Sequence, residues 1–224
     1  MVSNATGVPN PLILAFDTST AQCAAAIVHE GHTLTKRVEP MGRGQAERLL
    51  PLLAECLQEI GLAWADIDML AVCTGPGNFT GIRLSIAAAR GLAISTGTPA
   101  IGVSLFEAYA ASRSGKMLAL ARNPRGKPYA QLFENGIALS GHLAGIEALD
   151  ELPAETLCIG HGADEVRKEL RLEQAEERIA PEPEWIGLAA LKKNPASTER
   201  PSPLYLRPAD AAPSQPAPAI LDEP

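Results

Sequence analysis

Two short stretches carry residue types suited to phosphate chemistry. "FDTST" (residues 16–20) sets an acid, Asp17, before three hydroxyls, Thr18, Ser19 and Thr20. An acid closing a central strand can order a magnesium-bound water, and hydroxyls in the following turn can hydrogen-bond phosphate oxygens. "CTGPGNFTGIRLSIAAARGLA" (residues 73–93) places Gly75, Gly77 and Gly81 ahead of a small-residue helix. Backbone N–H groups in such a turn, feeding a helix N-terminus, attract anions. Each stretch also has a plainer reading. Ser and Thr cap ordinary hairpin turns, and glycine permits tight packing and positive φ at a strand-to-helix corner.

The named phosphate motifs fail. A Walker loop needs glycine five places after Gly75 and then lysine, but Thr80 stands there and no lysine follows Gly81. A dinucleotide fingerprint also needs glycine at Thr80. Metal chemistry fares no better: His29 and His32 flank a turn without an acidic partner, and His142 and His161 are isolated. No G-x-S-x-G elbow supplies a nucleophile. No metal ligand and no catalytic residue is therefore assigned.

The elements that must position these stretches follow from patterning. "PLILAFD" reads as a buried strand, and "QCAAAIV" and "TLTKRVE" as a hairpin around Gly31. A helix over Gln45–Ile60 follows, with Pro51 expected to kink or restart it. "IDMLAVC" is another buried strand, and a second helix spans Thr80–Thr96. The order β-β-β-α-β-α is then expected to recur. "KMLALA", "PYAQLFE" and "GIALS" are strand-like, "LAGIEALDEL" helical, "TLCIG" a strand and "ADEVRKELRLEQAEE" an amphipathic helix. This succession predicts an α/β, two-lobed actin-like (ribonuclease H-like) fold with a shortened second lobe. The expected divisions are a flexible N-terminus (1–10), a first lobe (11–112), a second lobe (113–207) and a disordered Pro/Ala-rich tail (208–224).

Bulk properties exclude several classes. A net charge of −7 argues against a free-standing nucleic-acid binder. Four dispersed cysteines suit a reduced, cytoplasmic chain. "MVSNATGVPN" has no secretion signal, and no apolar run approaches the ~20 residues of a membrane span. One local exception exists: between Glu107 and Glu134 there are no acids, only Arg113, Lys116, Arg122, Arg125 and Lys127. This basic island is either a solvated loop or, through Arg122, Arg125 and Lys127, a contact for nucleic-acid phosphate or an acidic partner.

Three stretches together, "LAFDTST", "AVCTGPGNFTGIRLSIAAARGLA" and "PLYLRP", resemble the TsaB (YeaZ) family, with Asn78 where that family's turn has serine. The resemblance covers residues 11–112 well and 113–207 loosely. It implies a two-lobed, non-catalytic relative of the TsaD-type subunit, lacking that subunit's H-x-x-x-H metal pair. Gln45 stands where many members have histidine, and "ARNPRGKPY" replaces an acid-bearing opening of the second lobe. The implied partners are a TsaD-type catalytic subunit, a TsaE-type ATPase, tRNA through the complex, and a second copy when alone. No cofactor is implied for this chain; ATP and Mg belong to the assembled complex. Dimerisation in the family points to the two first-lobe helices, through Ala46, Leu49, Leu50, Leu53, Leu57, Ile82, Ser85, Ile86, Ala89 and Ala93. The Gln45–Ile60 helix is apolar on more than one face, as a helix with two surfaces to cover would be. The competing reading is an active ATP-dependent kinase or ATPase of the actin-like superfold, with "DTST" and the glycine loop (Asp17, Thr18, Ser19, Thr20, Gly75, Gly77) holding nucleotide. A third, a peptidase, lacks a nucleophile.

Overall fold

The computed structural model describes residues 10–124, 126–147, 149–193 and 199–206. The expected flexible start and disordered tail, apart from Asn10, lie outside them. Strands β1 (Ile13–Asp17), β2 (Gln22–His29) and β3 (His32–Pro40) form an antiparallel meander. Helix α1 (Gln45–Glu59) leads to β4 (Met69–Cys73), helix α2 (Phe79–Thr96) to β5 (Ala100–Val103). Both strands lie parallel to β1, giving the order β3-β2-β1-β4-β5. After the short α3 (Leu105–Ala111), strands β6 (Lys116–Ala121), β7 (Tyr129–Glu134), β8 (Ile137–Ala138), β9 (Leu157–Gly160) and β10 (Gln174–Glu177) make a second sheet. Its order, β8-β7-β6-β9-β10, repeats the first strand for strand. Two such sheets make the two-lobed actin-like fold.

Alternation along the strands assigns the layers. Leu14, Phe16, Ala25, Ile27, Leu70 and Val72 turn outward beneath α1 and α2. Ile13, Ala15, Val28, Met69 and Ala71 turn inward, towards α3, α5 (Pro183–Leu191) and the second sheet's Met117, Ala119 and Phe133. Leu118, Leu120 and Cys158 face α4 (Ala163–Leu170) on the far side. Helix α5 follows the second sheet in sequence yet packs on β1 and β2. A Cβ at Gly187 would lie 2.9 Å from Val28 Cγ2, so only glycine permits that approach.

Several local expectations need correction. The "LAGIEALDEL" segment forms no helix in its described residues; Leu143 instead exchanges backbone hydrogen bonds with Ala130, extending the sheet. The "ADEVRKELRLEQAEE" helix stops at Leu170, because Arg171 turns left-handed (φ 56°), and residues 174–177 pair with β9 as β10. Pro51 does not interrupt α1. It sits on the exposed side, where the carbonyl it leaves unpaired can meet water.

Candidate functional site

The "DTST" turn and the glycine turn are packed backbone against backbone. Thr18 Oγ1 donates to the Gly81 carbonyl (2.7 Å), and the Asn78 N–H donates to the Ser19 carbonyl (2.6 Å). A Cβ at Gly81 would lie 1.9 Å from Thr18 O, and one at Gly77 2.3 Å from Ser19 O. Gly75, with φ 94°, would push a Cβ to 2.6 Å from Ile82 Cδ1. The glycines therefore admit the protein's own chain. Asn78 caps α2 by accepting the Gly81 N–H, so the turn also satisfies the helix end from within.

Asp17 is fully buried behind these turns. It accepts from the Ser19 N–H (2.7 Å) and from Gln22 Nε2 (3.3 Å), while burial pushes its carboxyl above the usual range. Gln22 Nε2 also reaches the Pro181 carbonyl (3.3 Å), tying the first turn to the approach of α5. Gln45 Nε2 donates to the carbonyls of Thr20 (2.8 Å) and Gln22 (2.7 Å), closing the other side. Asp17, Thr18, Ser19 and Thr20, with Gly75 and Gly77, the residues expected to hold a nucleotide, thus lie in two closely packed turns. Thr18 and Ser19 are buried, and the Thr18 hydroxyl is committed inside the protein. Among the described residues no three His, Cys, Asp or Glu side chains converge as a metal site. No helix there is long and apolar enough to cross a membrane.

The two helices divide into buried and exposed rows. Leu49, Leu53 and Leu57 of α1 are buried against the first sheet, as are Ile82, Ser85, Ile86 and Ala89 of α2. These seven, expected at a partner interface, are core residues, because the strongest apolar stripe covers the sheet first. Ala93 is half-buried. Of the residues named from sequence, Ala46 and Leu50 remain exposed, Leu50 at 48%. Beside them stand Pro51 and Ala54, and on α2 Arg83, Ala87, Arg90, Gly91 and Ile94, the last 84% exposed. Phe79, at the start of α2, extends this face. Its ring stacks on Tyr205 (5.4 Å between centroids) with the Arg83 guanidinium 3.6 Å from its centre. Sequence reasoning missed Phe79, Ile94 and Tyr205. The available signal is the set of apolar residues lying off the main stripe; of Leu50, Leu52 and Cys56, which lie off it on α1, only Leu50 is exposed.

The basic island is neutralised in part, at Arg113 and Lys127. Arg113 pairs with Glu176 (2.6 Å) and lies over the Trp185 ring, and Lys127 pairs with Glu147 and Glu169. Arg122 is exposed; Arg125 lies outside the described residues.

Comparison with known proteins fits this geometry. Residues 38–128 match the family described as TsaD, tRNA N6-adenosine threonylcarbamoyltransferase. The tRNA threonylcarbamoyladenosine biosynthesis protein TsaB of Escherichia coli is 41% identical over 92 residues, 41% of this chain and 39% of that protein. The TsaB of Haemophilus influenzae is 39% identical over 45% of this chain and 42% of its own length. The matched segment thus spans less than half of these curated relatives. An uncharacterised Mycobacterium tuberculosis protein is 34% identical over 90% of this chain and 94% of its own. The solved YeaZ from Pseudomonas aeruginosa superposes with a TM-score of 0.73 at 26% identity, covering 88% of this chain and all of that one. The two repeated sheets, the packed glycine turn and these relatives agree: the chain belongs to the TsaB (YeaZ) family.

Proposed function

We propose that this chain is a non-catalytic partner subunit in the synthesis of threonylcarbamoyladenosine on tRNA, docking a TsaD-type catalytic subunit through the exposed face of α1 and α2. The observation that carries the reading is an apolar helical face with no work inside the monomer. Leu50 and Ile94 are exposed, and Gly91 sits mid-helix with nothing within 4 Å of a built Cβ. An exposed mid-helix glycine costs about 1 kcal/mol against alanine. Close approach of a partner helix offsets that cost. The same face suits a second copy when the chain is alone. ATP and Mg belong to the assembled complex with a TsaE-type ATPase, and tRNA is met through the complex, not through Lys127, whose charge is already paired. An active kinase or ATPase would need the Thr18 hydroxyl free for phosphate, and it is buried and engaged.

The test is co-purification with the TsaD-type protein of the same cell. Leu50→Glu combined with Gly91→Arg should fold normally by circular dichroism and weaken the complex at least tenfold. Normal binding by the folded variant would overturn the docking face. Leu53→Glu, by contrast, should unfold the chain, since an unpaired charge in the core loses its hydration. The isolated chain should show no threonylcarbamoyl transfer and negligible ATP turnover; robust turnover abolished by Asp17→Asn would restore the kinase reading.

A further inference from the structure

Phe79, Arg83, Ala87, Arg90 and Ile94 make one exposed row along α2, with the exposed Leu50 of α1 beside it. Helix α2 carries two arginines and no acid. Arg83 Nε donates to the Tyr205 hydroxyl (2.8 Å) and Arg90 Nε to the Pro201 carbonyl (2.9 Å). The outer nitrogens of both guanidiniums make no hydrogen bond or ion pair with the described residues. This face therefore suits a segment that joins apolar side chains to acids. The same contacts bring residues 201–205 onto α2. The Tyr205 ring stacks on Phe79, and the Leu204 N–H donates to the Thr74 carbonyl (2.9 Å). Leu206, the last described residue, follows directly, so the chain leaves the described structure beside the first turn of α2.

The sequence continues from there as RPADAAPSQPAPAILDEP. Its only large apolar residues are Ile220 and Leu221, and the acids Asp222 and Glu223 follow at once. Before them, alanine and proline are the only apolar residues, which is the composition of a linker. From Leu206 to Ile220 such a linker spans about 20 Å as a coil and about 43 Å as polyproline. Phe79 and Ile94 are about 22 Å apart along α2. The linker therefore reaches the whole row, and a coil length close to the span gives the highest effective concentration, in the millimolar range. We propose that residues 219–223 dock on the exposed α1–α2 face of their own chain. Ile220 and Leu221 cover Leu50 and Ile94, and Asp222 and Glu223 lie beside the two arginines. Exposed ion pairs add little affinity, but they select the place. With a net charge of −7, most of this protein's surface repels an acidic segment, and the α2 row does not. A subunit that uses this face must then displace the segment, a consequence that rests on the partner-subunit reading.

Paramagnetic broadening in NMR of the isolated full chain tests this. All four cysteines are buried, so a nitroxide attaches only to the new thiol of an Ala219→Cys variant. The amide signals of Arg90, Gly91 and Ile94 should lose at least half their intensity. Those of α4, on the far side of the second sheet, should not change. Adding Ile220→Ser, Leu221→Ser, Asp222→Lys and Glu223→Lys should cut the loss at least threefold and leave the rest of the spectrum as it was. Equal loss with and without these four substitutions overturns the proposal, as does loss spread evenly over the surface. Loss seen only when nitroxide-bearing chains are mixed with separate isotope-labelled ones also overturns it, and gives the face to another copy. Partner affinity then separates the two readings. The four substitutions should tighten binding of the TsaD-type subunit about threefold, the ratio for a face covered roughly two-thirds of the time. Unchanged affinity with the nitroxide effect intact counts against docking at this face and leaves the covering segment in place.

Discussion

Alanine at two glycines of α2 should move stability in opposite directions. At Gly81 a Cβ would stand 1.9 Å from Thr18 O and 2.9 Å from Thr18 C, both backbone atoms that no rotamer change can move aside. The two turns must separate by an ångström or more. That separation breaks the Thr18 Oγ1 to Gly81 bond (2.7 Å) and strains the Asn78 N–H to Ser19 bond (2.6 Å). Each lost bond costs about 1 kcal/mol, and overpacking adds ~1–3 kcal/mol. The net is roughly 2–5 kcal/mol, which for a domain of this size lowers Tm by about 10 °C. Gly91, ten residues on, has nothing within 4 Å of its Cβ. Alanine there gains ~0.5–1 kcal/mol of helix propensity and raises Tm by about 2 °C. Thermal and urea unfolding of both variants measure the contrast. A Gly81→Ala protein as stable as wild type would refute the claim that the glycines exist to let the two turns pack.

Asp17 predicts a signed pH dependence. Its folded pKa is raised, so the folded state holds more protons than the unfolded one above about pH 4, and stability falls as pH rises through that window. Asp17→Asn should remove this component, gaining on wild type as pH goes from 4 to 8; urea midpoints that keep a constant gap would show the carboxyl to be unperturbed. The four cysteines are all buried, with burial pushing Cys23 and Cys56 up to about 11 and Cys158 to about 12, and Cys73 higher still. A thiol reagent at pH 8 should modify none of them in the native protein and all four in denaturant. Rapid native labelling at any one would contradict the closed packing around it.

The first sheet is legible in the sequence because its strands are short, apolar and punctuated by Asp17, Gly31 and the glycine turn. The second is less so. Leu143, Ile146, Leu149 and Leu152 fall at helical spacing, yet tertiary packing takes them as loop residues covering the outer side of β6 and β7. Helices α3 and α5 are short and nearly uniformly apolar, so periodicity gives them no signature; both lie between the sheets, where no side faces water for long. At the candidate site, spacing identifies which turns matter but not what fills them. Thr18 as phosphate ligand and Thr18 as donor to Gly81 are written with the same letters. The helical face shows the same limit: an apolar residue on a two-sided helix does not declare which side meets its own sheet.

Helix α5 also sets a schedule. Ile186, Ala189 and Ala190 complete the core against Ile13, Ala15 and Val28, which lie at the opposite end of the chain. During synthesis the inward side of β1 and β2 leaves the ribosome long before its covering helix exists, and at ~5–20 residues per second the wait is on the order of ten seconds. Through that interval the nascent first sheet exposes a bare apolar surface, open to chaperones or to another growing chain.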